Sequence, residues 1–178
     1  KRICTTLTSN YVPKTGDAVF AYTKNAYGFL IRIGQATRWW KYRKWNHMAF
    51  VDSVDPDGTI WVIQMAKRGQ RVKIQDVAPG GHVKFVPAPG DIDIARAAEY
   101  ARKRIGTKYG VMTIVSIAIN LLLPNMLRFD IRREDTLICS ALVARAWEHG
   151  GWECPVDPFD ITPAEFDGIL GGGGFDIY

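Results

Sequence analysis

The sequence predicts an α+β fold, an antiparallel sheet of about five strands packed against helices. Three observations carry that prediction. Short segments rich in Val, Ile and aromatics, separated by turn residues, fill the first half; stretches with helical periodicity fill the second; and the two kinds are segregated rather than alternating. A chain of 178 residues with 47% hydrophobic content suits one domain with a sizeable core. Residues 1–178 are read as that single domain, with the motif-bearing part at about 13–155 and 156–178 as a C-terminal extension.

The expected strands are "GDAVFAYT" (16–23), "HMAFVDSV" (47–54), "TIWVIQMA" (59–66), "QRVKIQDV" (70–77) and "HVKFVPA" (82–88). "DPDG" (55–58) has Pro and Gly where a four-residue hairpin loop wants them. On that loop Val54 pairs with Thr59, and Ala49 therefore faces Gln64. Helical periodicity then sets in. "DIARAAEYARKRIG" (93–106) aligns Ile94, Ala98, Ala101 and Ile105 and stops at Gly106. "TLICSALVARAWEHGG" (136–151) puts Cys139, Val143, Ala146 and Trp147 on one face, with Asp135 or Thr136 as cap and Gly150–Gly151 as stop. "ITPAEFDGIL" (161–170) has Pro163 in the first turn of a short last helix.

The run 109–127 carries no charge and approaches the length of a membrane span. Thr113, Ser116, Asn120, Pro124 and Asn125 dilute it, which favours a buried core helix, with a membrane-contacting or substrate-lining helix as the alternative. A net charge of +5 suits an anionic partner such as an envelope, nucleic acid or acidic lipid, without choosing among them. The basic clusters "TRWWKYRKW" (37–45) and "ARKRIGTK" (101–108) read first as solvated faces, and no nucleic-acid motif accompanies them. Three cysteines, Cys4, Cys139 and Cys154, leave at least one thiol free; a Cys4–Cys154 bridge is open, and no pair has zinc-ligand spacing. The given sequence begins at Lys1 and shows no signal peptide.

Cys139 stands at the first turn of a helix, where the positive end of the dipole favours thiolate over thiol. By composition alone it is a small apolar core residue. A nucleophile needs a base, and there are three histidines. His149 sits in the last turn of the same helix, too far from Cys139 to act on it, and reads as a residue suited to the helix C-terminus. His82 follows Gly80–Gly81 and reads as a surface residue. His47 opens a strand and shares a face with Ala49 and Val51; the pairing above puts Gln64 diagonally across from it. A strand-borne imidazole within reach of an amide can complete a Cys–His pair. Gln64 is otherwise a solvated strand position or a satisfied core amide.

"GDAVFAYT", "NHMAFVDS" and "TIWVIQMA" resemble the "GDLVFF … HVGIY … IHA" series of NlpC-type cell-wall peptidases, within the papain-like cysteine hydrolases. "CSALV" is similar to their nucleophile motif "DCSGLV", and "GTKYG" to the "G-x-x-Y" segment before it. Here the cysteine follows the histidine strand. That circularly permuted order is shared by the branch containing lecithin retinol acyltransferase, the small phospholipid acyltransferases and the bacterial YiiX-like proteins. The resemblance implies a permuted papain-like fold with the nucleophile at the N-terminus of a helix. It implies Cys139 as nucleophile, His47 as general base, Gln64 as the residue orienting the imidazole, and Tyr109 with the Cys139 N–H as oxyanion donors. Gly16, Asp17 and Ser140 match structural positions, Ser140 bonding locally. Ile138 replaces the family's Asp, "CSA" replaces "CSG", and an amide fills the third place.

The function this implies is a cysteine hydrolase working through an acyl-enzyme on an amide, such as a peptidoglycan stem-peptide bond, in a bacterial or phage-borne protein. Basic charge agrees with an envelope or secreted setting. The apolar run 110–123 favours instead a lipid acyl ester or thioester as substrate, with peripheral membrane contact. A non-catalytic module of an envelope or virion is the reading of a different class. None of these readings calls for a metal or other cofactor.

Overall fold

In the computed structural model, residues 11–24, 28, 32, 35, 41, 44–80, 82–110, 136–159, 161–171 and 175–177 are described. All five expected strands form: β1 (Ala18–Ala21), β2 (His47–Val54), β3 (Ile60–Met65), β4 (Gly69–Lys73) and β5 (Val83–Val86). A sixth, β8 (Phe175–Ile177), joins the far edge, giving the antiparallel order β4-β3-β2-β1-β5-β8. Only the first part of "QRVKIQDV" is strand. Ile74–Val77 turns into a helical segment, α1, that packs Val77 on the sheet. A separate parallel pair, β6 (Lys108–Tyr109) and β7 (Thr136–Leu137), was not expected.

The β2–β3 hairpin corrects one pairing and keeps another. Asp55 N–H reaches Thr59 O, so Val54 pairs with Ile60 rather than with Thr59. A β-bulge between Val51 and Ser53 then absorbs the one-residue offset, and Ala49 does face Gln64. The bulge has its own anchor. Asp52, buried there, accepts from Arg71 Nε on β4 at 2.5 Å and from Arg102 Nε at 2.6 Å. Two guanidinium partners make burial of that carboxylate tolerable.

Helices α2 (Ile94–Lys103), α3 (Cys139–His149) and α4 (Pro163–Ile169) cover one face of the sheet. Phe20, Met48, Phe50, Ile63 and Met65 interlock there with Ala97, Ala101, Leu142, Trp147 and Phe166. Val19, Ala21, Ala49, Val51, Val62 and Phe85 form a second buried layer on the other face, under Val77 and Ala78. The α2 stripe differs from expectation. Ile105 lies beyond the helix and is 46% exposed, while Tyr100 is buried. Nor does the stretch after 155 merely extend the domain. Phe166 of α4 is fully buried against Phe20 and Trp147, and Asp167 pairs with the buried Lys84 of β5.

The turn before β1 locks α3 in place. Gly16 adopts φ +99°, and a Cβ there would come within 2.7 Å of Ile94 Cδ1. Its carbonyl accepts from Trp147 Nε1 at 2.8 Å. Asp17 accepts from the Tyr11 hydroxyl, the Lys14 N–H and the Ala88 N–H, a structural role for the Gly-Asp pair. Among the described residues no helix is long and apolar enough to cross a membrane. Cys4, most of 37–45, the run 111–127, Asp135 and 172–174 lie outside the described residues.

Candidate active site

Cys139 is the first residue of α3 and is 3% exposed. The N-cap is Ile138 in an extended conformation, with no side-chain cap bond; Thr136 is in β7 instead. An uncapped helix start leaves its first N–H groups available to another acceptor. The sulfur of Cys139 lies there, and the backbone N–H groups of Ser140 and of Met48 from β2 act on it to favour the thiolate. The small parallel ladder supplies a third donor. Tyr109 pairs with Leu137, and Gly110 N–H reaches Leu137 O at 3.0 Å, which sets the Tyr109 hydroxyl in hydrogen-bonding contact with Cys139.

His47 is the first residue of β2, so base and thiol meet where a strand and a helix both begin. Its Nε2 lies 2.6 Å from Gln64 Oε1. An amide oxygen only accepts, so Nε2 carries the proton and Nδ1 is the ring nitrogen left for Cys139, with which His47 is also hydrogen-bonded. The start of β2 is clamped by the residue before it. Asn46, 1% exposed, accepts from Thr23 N–H at 2.8 Å and returns a bond from Nδ2 to Thr23 O at 2.8 Å. The sequence reading did not single out Asn46. A polar side chain just before a buried strand was the available signal.

Electrostatics draw the two groups towards an ion pair. Burial opposes the Cys139 thiolate, but the His47 charge and hydrogen bond, then the Met48 and Ser140 N–H groups, outweigh it and hold the thiol below its usual range. Burial likewise opposes the imidazolium; the Cys139 charge and bond and the Gln64 bond outweigh it and raise His47. Burial, then the neighbouring thiolate, pushes the Tyr109 phenol up, so it remains a protonated donor. A thiolate facing an imidazolium, with neutral donors around the sulfur, is set up for nucleophilic attack.

Tyr109 depends on a close backbone approach. Gly69 N–H reaches Thr107 O at 2.8 Å, and Gly106 N–H returns to Gly69 O at 2.8 Å. A Cβ on Gly69 would fall 2.0 Å from Arg104 O, so only glycine lets the segment leading to Tyr109 sit against β4. The structure thus brings Cys139, His47, Gln64 and Tyr109 together, and it separates the other candidates. His149 stacks on Tyr100 at the opposite end of α3, and His82 packs edge-on to Tyr22. Ser140 bonds Ile161 O at 2.5 Å, a tie from α3 to the segment before α4 rather than a local bond.

These features define an α+β protein of permuted papain-like fold, with a cysteine-bearing helix start set against a histidine-bearing strand. Among solved structures the chain is similar to the crystal structure of metalloprotein yiiX from Escherichia coli O157:H7, with a TM-score of 0.55 and 14% identity. The match covers 79% of this chain and 67% of that one, and at such identity it shows the fold. No protein-family model and no curated protein sequence matches the chain.

Proposed function

We propose that the protein is a cysteine hydrolase that cleaves an amide through an acyl-enzyme, and that its substrate is a peptidoglycan stem-peptide or related cell-wall amide. The observation that carries the chemistry is the arrangement of Cys139, His47 and Gln64, with the 2.6 Å Gln64 bond leaving Nδ1 to the thiolate. The resemblance to cell-wall peptidases and the net charge of +5 support the substrate.

Cys139 Sγ attacks the acyl carbon, and the developing oxyanion takes hydrogen bonds from the Tyr109 hydroxyl and the Cys139 N–H. As the C–N bond breaks, the His47 imidazolium gives its Nδ1 proton to the departing amine. Neutral His47 then removes a proton from water, the hydroxide attacks the thioester, and Cys139 leaves as thiolate beside a re-formed imidazolium. Gln64 holds Nε2–H throughout, which stops the ring from turning away.

The similar protein is described as a metalloprotein. Among the described residues here, no three His, Cys, Asp or Glu side chains gather as a metal site, and Gln64 and Cys139 engage the two ring nitrogens of His47. The described donors do not fit a metal at Cys139, and no step is routed through one.

Purified peptidoglycan and phospholipid vesicles, incubated in parallel with the protein and with Cys139→Ala, test the reading. New amine groups from peptidoglycan, absent with Cys139→Ala, support it. Free fatty acid from vesicles alone replaces it with the ester reading. Equal amine release by wild type and Cys139→Ala removes Cys139 from the chemistry.

A further inference from the structure

The opposite end of the helix pair gathers positive charge that the proposed chemistry does not use. The Asp93 N–H bonds Gly150 O at 2.8 Å, tying the start of α2 to the end of α3, so the two helices run antiparallel. On α2 and its C-cap, Arg96, Tyr100 and Arg104 follow at intervals of four; on α3, Arg145 and His149 do the same. That spacing aligns each set along one side of its helix.

The two rows meet around one ring. The His149 imidazole stacks on Tyr100 with centroids 4.1 Å apart, and the Arg104 guanidinium lies 4.5 Å from the same centroid. Arg145 acts on the same Tyr100 side chain and donates through Nη1 to Glu148 at 2.9 Å. Among the described residues, the Nε atoms of both Arg104 and Arg145 are buried without a hydrogen-bond partner. Those two atoms are closed to water and to a ligand alike, but both residues are only half-buried overall, so a ligand would meet the terminal nitrogens of the guanidiniums.

We propose that Arg104, Arg145 and His149, with Arg96 at the rim, form a binding site for a phosphate group, separate from the Cys139 site. A phosphate offers several acceptor oxygens and up to two negative charges. Two forked guanidiniums and an imidazole can therefore share it, and Tyr100 holds those cations in place. Glu148 is the carboxylate acting on His149, against Arg145, Arg104 and Arg96. Burial first, then those three arginines, lowers the imidazole from its usual value, so the patch by itself resists a further positive charge. A bound dianion reverses that balance. At 1.5 Å per residue, α3 puts His149 roughly 15 Å along the helix from Cys139. The site therefore anchors a phosphate-bearing partner beside the reacting bond rather than at it.

The test follows the His149 ring by NMR through a pH titration in inorganic phosphate and in chloride at matched ionic strength. Phosphate is expected to move its midpoint upward, saturably. Arg104→Gln, whose lost guanidinium has an unpartnered Nε, is expected to fold normally and to weaken phosphate at least about tenfold, the loss of one charge-assisted contact. Co-sedimentation with phosphatidylcholine vesicles, with and without phosphatidic acid, separates the sources. Capture by the acidic vesicles that Arg104→Gln abolishes assigns a membrane-borne phosphate; an NMR response without capture assigns a soluble one. Identical His149 titrations in phosphate and chloride, or binding unaffected by Arg104→Gln, overturn the proposal.

Discussion

Cys139 and Cys154 are the free thiols among the described residues, and their surroundings push them in opposite directions. Cys139 is the more buried, yet an imidazolium and two backbone N–H groups hold it below the usual thiol range. Cys154 is half-buried in the loop after α3. Burial raises it; the Val156 N–H counters, and the carboxylates of Glu148, Asp157 and Glu165 add to the rise. Burial by itself therefore says nothing about reactivity here. The groups that desolvation brings within reach of the sulfur decide it.

The largest expected difference between the two cysteines is in turnover. Cys139→Ala is expected to lower kcat for amine release by on the order of 10⁴-fold or more, while Cys154→Ser leaves it unchanged. Comparable losses for both would break the contrast. Tyr109→Phe removes the donor to the developing oxyanion and is expected to cost about 10²–10³ in kcat with little change in KM. An effect confined to KM would make Tyr109 a binding residue only. Gln64→Ala is expected to cost about tenfold in kcat, the scale of one lost hydrogen bond to a charged group. It also lowers the alkaline limb of the pH–rate profile, because that bond helps hold the proton on His47. Gln64→Glu should raise the same limb. A profile unmoved by either change would leave Gln64 a packing residue.

The alkylation profile sharpens the comparison without needing a substrate. Cys139 has a lowered pKa, so its thiolate is present from a lower pH than that of Cys154, whose pKa is raised. Iodoacetamide labelling, read on the two peptides by mass spectrometry, should therefore rise at lower pH for Cys139. His47→Ala should carry the Cys139 midpoint upward towards that of Cys154. The last expected effect is on folding rather than on the sulfur. Gly69→Ala forces a Cβ against Arg104 O and should cost about 1–3 kcal/mol in a denaturation curve, the scale of overpacking. An unchanged midpoint would mean that the segment before Tyr109 can yield.

The sheet was legible because its strands carry period-two patterning between clear turns, whereas loop counting reached the Ala49–Gln64 pairing only because the bulge cancels its one-residue error at Val54. What was not legible has local causes. Val72 and Ile74 continue the β pattern, so nothing in composition marks the change from β4 to α1. The pairs β6–β7 and β5–β8 are too short for any periodicity and exist because of what lies beside them. Cys139 and His47 came from residue type and placement. Tyr109 came only through the resemblance, because its position depends on a ladder and a glycine contact remote in sequence. The missing cap on α3 was hidden for a related reason. Thr136 looks like a capping residue until β7 takes it into a strand.

The bulge at Asp52 has a further consequence for how the hairpin can change. It stands between the turn and the His47–Gln64 pair, and it is fixed from outside the hairpin by Arg71 and Arg102. An offset generated at the tip is taken up there before it reaches the site. The tip at 55–59 is thus a tolerant graft point, where added residues, a tag or a recognition loop could be carried while base and orienting amide keep their register.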